Sequence, residues 1–325
     1  MLKRLSVSLL VWIFLQLVYF YSLGWSSQKL QVITTIFPLQ DFARAVGGER
    51  IQVSILLPPG TEPHTWEPRP RDIIDINRAD IFLYIGTGME PWAEDLLKGI
   101  DKESLVVIEA AEGLNLIHTE KLSPGFYLNR NREDHDQMQN GSHPLHHHGE
   151  IDPHIWLDFR NDQIIIDKIV KVFSLMDPEG ATWYTNNGKR YKEELATLDK
   201  SYSEGLKNCR NVEILLGAHS AFLYLARQYD LKQIALYGMS PDAEPKPRDI
   251  AKIIDYAKAH GVKVVFSERF LNERLAKVIA DEIGADVLAL NPGANITKKE
   301  RKRGVTFIGI MEDNLKNLMK GLGCE

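Results

Sequence analysis

The stretch PEGATWYTNNGKRYKEELATLDKSYSEGLKN, Pro178–Asn208, decides how the rest of the chain is read. It is polar and rich in Glu, Lys, Leu and Ala, where a flexible linker would carry more Gly and Ser. Asp177 followed by Pro178 supplies a cap and a first-turn residue for a helix. If helical throughout, the stretch spans ~45 Å, long enough to run as a stiff spine along two lobes.

Outward toward the N-terminus, strand-like and helix-like segments alternate. Gln31–Phe37, Ile51–Leu57, Ile81–Ile85 and Ser104–Glu109 read as strands. Pro38–Val46, Arg71–Ala79 and a segment opened by Pro91 read as helices, the first stopped by Gly47 and Gly48. Outward toward the C-terminus the pattern repeats. Val212–Leu216, Ile234–Tyr237, Val262–Phe266 and Asp286–Leu290 read as strands. Ile250, Ile253, Ile254 and Ala257 recur at helical spacing, and Leu271–Ile283 is a helix ended by Gly284. The alternation predicts an α/β fold: two lobes, each a parallel sheet flanked by helices, joined by one long rigid spine helix. The expected boundaries are residues 28–177 for the first lobe, 178–208 for the linking helix and 209–325 for the second lobe.

Residues 1–27 stand outside that body. Lys3 and Arg4 precede an almost continuously apolar run, Leu5–Tyr21, and Ser22, Gly24, Ser26 and Ser27 follow. That order is a secretory signal peptide, with an uncleaved N-terminal membrane anchor as the alternative, because the run approaches the ~18 residues of a spanning helix. No Cys lies near it, so a free periplasmic protein is the simplest reading. Without Lys3 and Arg4 the 39 basic side chains fall to 37 against 44 acidic ones, a net of −7. This mildly acidic balance does not suit nucleic acid, and no basic stripe is expected. Cys209 and Cys324 have no zinc-ligand spacing. Export permits a disulfide tying the C-terminus to the start of the second lobe, and two free thiols fit the sequence equally.

Six of the ten histidines, His118, His135, His143, His146, His147 and His148, fall in His118–Glu150, a polar stretch with no apolar period that reads as a weakly ordered loop. Of the other four, His260 beside Gly261 suits a helix C-terminus. His64 follows the strand ending at Leu57, His154 follows Asp152-Pro153, and His219 ends Ile214–His219. Open parallel sheets bind ligands beyond the carboxyl ends of their strands, so these three could converge. Three neutral imidazoles suit Zn2+ better than Mn2+. Spacing alone leaves open a shared metal site or three hydrogen-bonded structural residues.

Thr35–Leu39 (TIFPL), Gly60–His64 (GTEPH), Asp152–Asp158 (DPHIWLD), Gly217–Phe222 (GAHSAF) with Tyr224, and Leu288–Pro292 (LALNP) resemble, in the same order, the zinc-type solute-binding proteins of ABC metal importers. The resemblance covers about Leu30 to Leu318. It implies a two-lobed fold with a single spine helix and metal ligands at His64, His154 and His219. His219 points to zinc, since the manganese branch has Glu at that place. A fourth ligand in the family is often an Asp at the position matched by Asn291, a departure that leaves Glu62, Asn291 or water to complete the tetrahedron. The loop histidines His135, His143, His146, His147 and His148 would collect zinc weakly. The implied partners are the Zn2+ cargo and an ABC permease, with the protein working as a monomer. Rivals are a manganese or iron carrier, an adhesin of the same fold, and a zinc hydrolase with Glu62 as base; no HExxH or GxSxG motif supports the last.

Overall fold

Two main sheets, whose four long strands follow one order, build the molecule, beside a separate two-stranded ladder. The computed structural model describes residues 29–100, 105–119, 127–128, 150–238, 245–269 and 273–325. The expected signal segment and His135, His143, His146, His147 and His148 lie outside those residues. In the first lobe β1 (Leu30–Thr34), α1 (Phe37–Gly47), β2 (Ile51–Ile55), α2 (Pro70–Asn77), β3 (Ile81–Tyr84), α3 (Ala93–Lys98) and β4 (Val106–Glu109) follow one another. The strands pair in the order β2-β1-β3-β4, all parallel. All four residues of β3 are buried, as expected of a central parallel strand covered on both faces.

Three two-residue strands come next: β5 (His118–Thr119), β6 (Tyr127–Leu128) and β7 (Glu150–Ile151). Helices α4 (Phe159–Met176) and α5 (Ala181–Gly205) then form a hairpin. The second lobe runs β8 (Glu213–Leu216), α6 (Leu223–Gln228), β9 (Lys232–Ala235), α7 (Pro247–Ala259), β10 (Val264–Glu268), α8 (Glu273–Ile283), β11 (Asp286–Leu290), α9 (Lys298–Arg303) and α10 (Phe307–Leu322). Its sheet order is β11-β10-β8-β9-β6. The four long strands are parallel, but β6 pairs antiparallel with β9, so the first lobe's sequence lends an edge strand to the second sheet. Antiparallel edge strands on parallel sheets are common, and a two-residue pairing leaves no periodic signal in sequence.

The spine is shorter than the expected 178–208. A 3-10 turn at Pro178–Gly180 precedes α5, whose 25 residues span ~38 Å. Asp177 sets that start: its carboxylate accepts from Gly180 N, from Tyr184 Oη at 2.7 Å, and from Arg50 Nε and Nη2 at 2.7 and 2.9 Å. Both ends of α5 are pinned. Trp183 Nε1 donates to Gly47 O and Asn187 Nδ2 to Val46 O at the end of α1, while Tyr202 Oη donates to Met311 O in α10. Gly188 lets α4 approach, because a Cβ there would overlap Val170 Cγ2.

The lobes share a core. Phe42, Phe307, Phe159, Tyr202 and Tyr229 form a continuous aromatic chain with ring centroids 5.1–6.4 Å apart. Phe42, Phe307, Phe159 and Tyr202 are fully buried, and each such side chain contributes roughly 1.5–3 kcal/mol, so separating the lobes is costly. Cys209 and Cys324 are disulfide-bonded, closing the second lobe from just after α5 to the C-terminus. The expectation of no basic stripe is corrected by α9, where Lys298, Lys299, Arg301, Lys302 and Arg303 are all exposed.

Candidate metal centre

The carboxyl ends of both sheets face one cleft, and three imidazoles meet in it. His64 sits on the loop after β2, Pro58-Pro59-Gly60-Thr61-Glu62-Pro63-His64, which turns through a Thr61 N to Pro58 O bond. Gly60 takes φ +81° there, a conformation that favours glycine. His154 precedes a 3-10 turn, Ile155–Leu157, whose buried side chains anchor it, and Asn161 Nδ2 donates to Ile155 O. His219 follows β8, and Tyr237 N donates to the neighbouring Ala218 O.

His154 Nε2 lies 3.2 Å from His64 Nε2 and 3.2 Å from His219 Nε2. One ligand atom from each of the three lies within 4.8 Å of the others. Two nitrogens bound to one tetrahedral zinc at about 2.0–2.1 Å are about 3.3 Å apart, so the spacing fits a shared ion.

The far nitrogens explain the orientation. His154 Nδ1 is 2.7 Å from Asp152 Oδ1, which also accepts from His154 N at 2.9 Å. His219 Nδ1 is 2.5 Å from Glu268 Oε2. All four residues are buried. A proton on each Nδ1 leaves the Nε2 lone pairs facing one another, and lone pairs at 3.2 Å repel unless a proton or a metal ion lies between them. Carboxylate–histidine pairs of this kind fix the tautomer and raise ligand basicity in metal sites.

Titration behaviour follows from burial and crowding. Burial, then the His154 and His219 rings, pushes His64 down to about 2. Burial, then His219, holds His154 well below the imidazole range. For His219 burial again pulls downward most strongly, but the Glu268 carboxylate together with Glu62 and Asp152 turns the net direction up. Burial raises Asp152 to about 7.

The other expected residues are close by. Glu62 and Asn291 both line the cavity with the three histidines. Glu62 Oε1 accepts from His64 N at 3.2 Å. Asn291 Oδ1 accepts from Gly293 N at 2.9 Å, and its backbone is clasped by Asn314, so this side chain serves its own loop. His118 is exposed in β5. His260 is the C-cap of α7 as expected and also faces Glu213 at 3.1 Å. Sequence reasoning missed Glu268, although it closes β10 at the same strand end that singled out the histidines. Asp152, within the DPHIWLD stretch, shows its role only once the fold sets it behind His154.

The chain matches, over residues 32–321, the family model described as ZnuA, zinc-uptake complex component A, periplasmic. It is 34% identical over 294 residues to the high-affinity zinc uptake system protein ZnuA of Bacillus subtilis, covering 90% of this chain and 88% of that protein. It is 34% identical over 290 residues to the zinc-binding lipoprotein AdcA of Streptococcus pneumoniae, covering 89% of this chain but 55% of AdcA, so it spans about half of that relative. The crystal structure of the Zn(II)-bound ZnuA-like domain of Streptococcus pneumoniae AdcA superposes with a TM-score of 0.74 at 32% identity, covering 91% of this chain and 99% of that one.

Proposed function

The chain belongs to the family of periplasmic zinc-uptake component A proteins, and on that premise we propose that it captures Zn2+ between its lobes on His64, His154 and His219 and hands it to an ABC permease. The observation that carries this reading is the pair of 3.2 Å Nε2–Nε2 distances around one point, with carboxylates behind two of the rings.

His154, at the centre of the trio, and His219 are the fixed ligands, each backed by a buried acid. His64 is half-buried and closes the site from the more open side. Glu62 lines that side and is the fourth ligand in our reading, alternating with water, while Asn291 keeps its loop. Protons compete with the ion first at His219, the one ring of the three shifted upward, so affinity falls as pH drops.

The protein acts outside the cytoplasm, after export by residues 1–27, as a monomeric carrier and not an enzyme. Residues 28–177 and 209–325 form the lobes and 178–208 the link, with β6 crossing over. His135, His143, His146, His147 and His148 add weak zinc sites.

Competition titration of the metal-free protein with zinc and manganese tests this. Zinc should bind more tightly, and His64→Ala, His154→Ala and His219→Ala should each weaken the tightest ion. Full tight binding in all three variants would remove the site. Deleting residues 118–150 should lower the number of ions bound and spare the tightest.

A further inference from the structure

The three imidazoles are not held alike. His154 and His219 each have a buried carboxylate behind Nδ1, whereas the acid beside His64, Glu62, accepts from its backbone N. Its position depends on the proline-rich loop that carries it. That loop is gripped from the opposite lobe. Asn295 Nδ2 donates to Pro58 O and to Thr61 O, both at 2.8 Å. Its Oδ1 accepts from Ile296 N at 2.8 Å. Both amide protons and the amide oxygen are therefore used, and the residue is 1% exposed.

The segment around Asn295 is fixed to the first lobe at two further points. Trp156 Nε1, two residues after His154, donates to Pro292 O at 2.6 Å. Phe37 N donates to Ala294 O at 3.0 Å. Residues 292–295 thus touch α1, the turn after His154 and the loop before His64 together. A change in the relation of the lobes reaches His64 through two hydrogen bonds from one side chain.

We propose that Asn295 is the positioning residue for His64, a latch between the lobes that sets how fast the ion leaves. The latch rests on the histidine-trio reading above. With the amide bonds made, His64 Nε2 stays at the common point; once they break, the loop retreats and the ion keeps two histidines. Asparagine suits the place chemically, because its amide supplies a donor to each of the two carbonyl oxygens. Asp would place an acceptor there, and Ala would leave two carbonyls without these partners.

Zinc release from the full-length, zinc-loaded protein into excess chromophoric chelator, followed by stopped flow, tests the latch. Asn295→Asp and Asn295→Ala should each release zinc roughly 10- to 100-fold faster, the loss expected for two hydrogen bonds. One tightly bound ion per chain should be retained. In a His64→Ala background the same changes should alter release less than about twofold, because the latch acts through that ring. A merely structural role would accelerate release equally in both backgrounds, and that result overturns the proposal. So does an unchanged rate in both Asn295 variants where His64→Ala is fast. An unchanged rate in His64→Ala itself would show that the trio reading had failed, and the latch with it.

Discussion

The two sheets share a strand order but use its reversal differently. In the first, the crevice between β1 and β3 is sealed by Glu90, which is 6% exposed. Its carboxylate accepts from Thr35 Oγ1 at 2.5 Å and from Ile85 N and Gly86 N at 3.1 Å. In the second, the crevice between β8 and β10 holds Glu268, whose neighbour is the His219 ring. Crevices at such reversals are the usual ligand positions of open α/β sheets. Each here contains a buried acid. The first satisfies its acid with local hydroxyl and backbone donors and presents nothing outward. The second faces its acid with a two-sided ring, whose far nitrogen meets the other imidazoles. A crevice becomes a site when the partner of its charge has another face to offer.

The largest effect that could break this contrast is on zinc affinity. His219→Ala should weaken zinc about a thousandfold, roughly 4 kcal/mol, as loss of one of four ligands does. Glu90→Gln should leave affinity within about twofold in the same chelator competition. Equal losses in the two variants would erase the distinction.

Next in size is the disulfide, which closes the second lobe and has no counterpart among the described residues of the first. Replacing Cys209 and Cys324 by Ser should lower unfolding stability by about 3–4 kcal/mol in urea titration and leave one tight zinc per chain. Weakened zinc binding with intact stability would contradict a structural role.

The third test uses pH. Burial raises Glu90 from 4.5 to about 7. Below pH 4.5 the side chain is protonated folded and unfolded, and contributes nothing to the pH slope. Between 4.5 and about 7 the unfolded chain ionises first, so stability falls as pH rises, by about 3 kcal/mol in all. Glu90→Gln should remove that slope from thermal melts of the metal-free protein; an unaltered slope would assign it to other groups.

The smallest effect sharpens the second crevice. Glu268→Gln should weaken zinc tenfold to a hundredfold, about 2 kcal/mol, without changing stoichiometry. Wild-type affinity would reduce Glu268 to packing.

Much of this arrangement is legible in the chain. Alternating apolar runs give the strands and helices, and the Glu- and Lys-rich stretch after Asp177 gives the spine. His64, His154 and His219 stand out because each lies at or near a carboxyl-end turn. What escapes is non-local. β6 pairs with β9 across 106 residues through two residues only, too few for a period to show. The Cys209–Cys324 bond depends on a distance that no spacing encodes. Asn295 is one Asn in a loop, and its importance comes from which carbonyls lie opposite. Glu268 was within reach, since it ends a buried strand beside the one that leads to His219.

The length of α5 has a mechanical consequence. Along a lever arm of ~38 Å, a bend of about 5° carries the far end through about 3 Å. That arc equals the gap between neighbouring Nε2 atoms, 3.2 Å. A flexure of a few degrees along this helix is therefore on the scale of the coordination distances, whereas a clamshell motion would have to open the shared aromatic core.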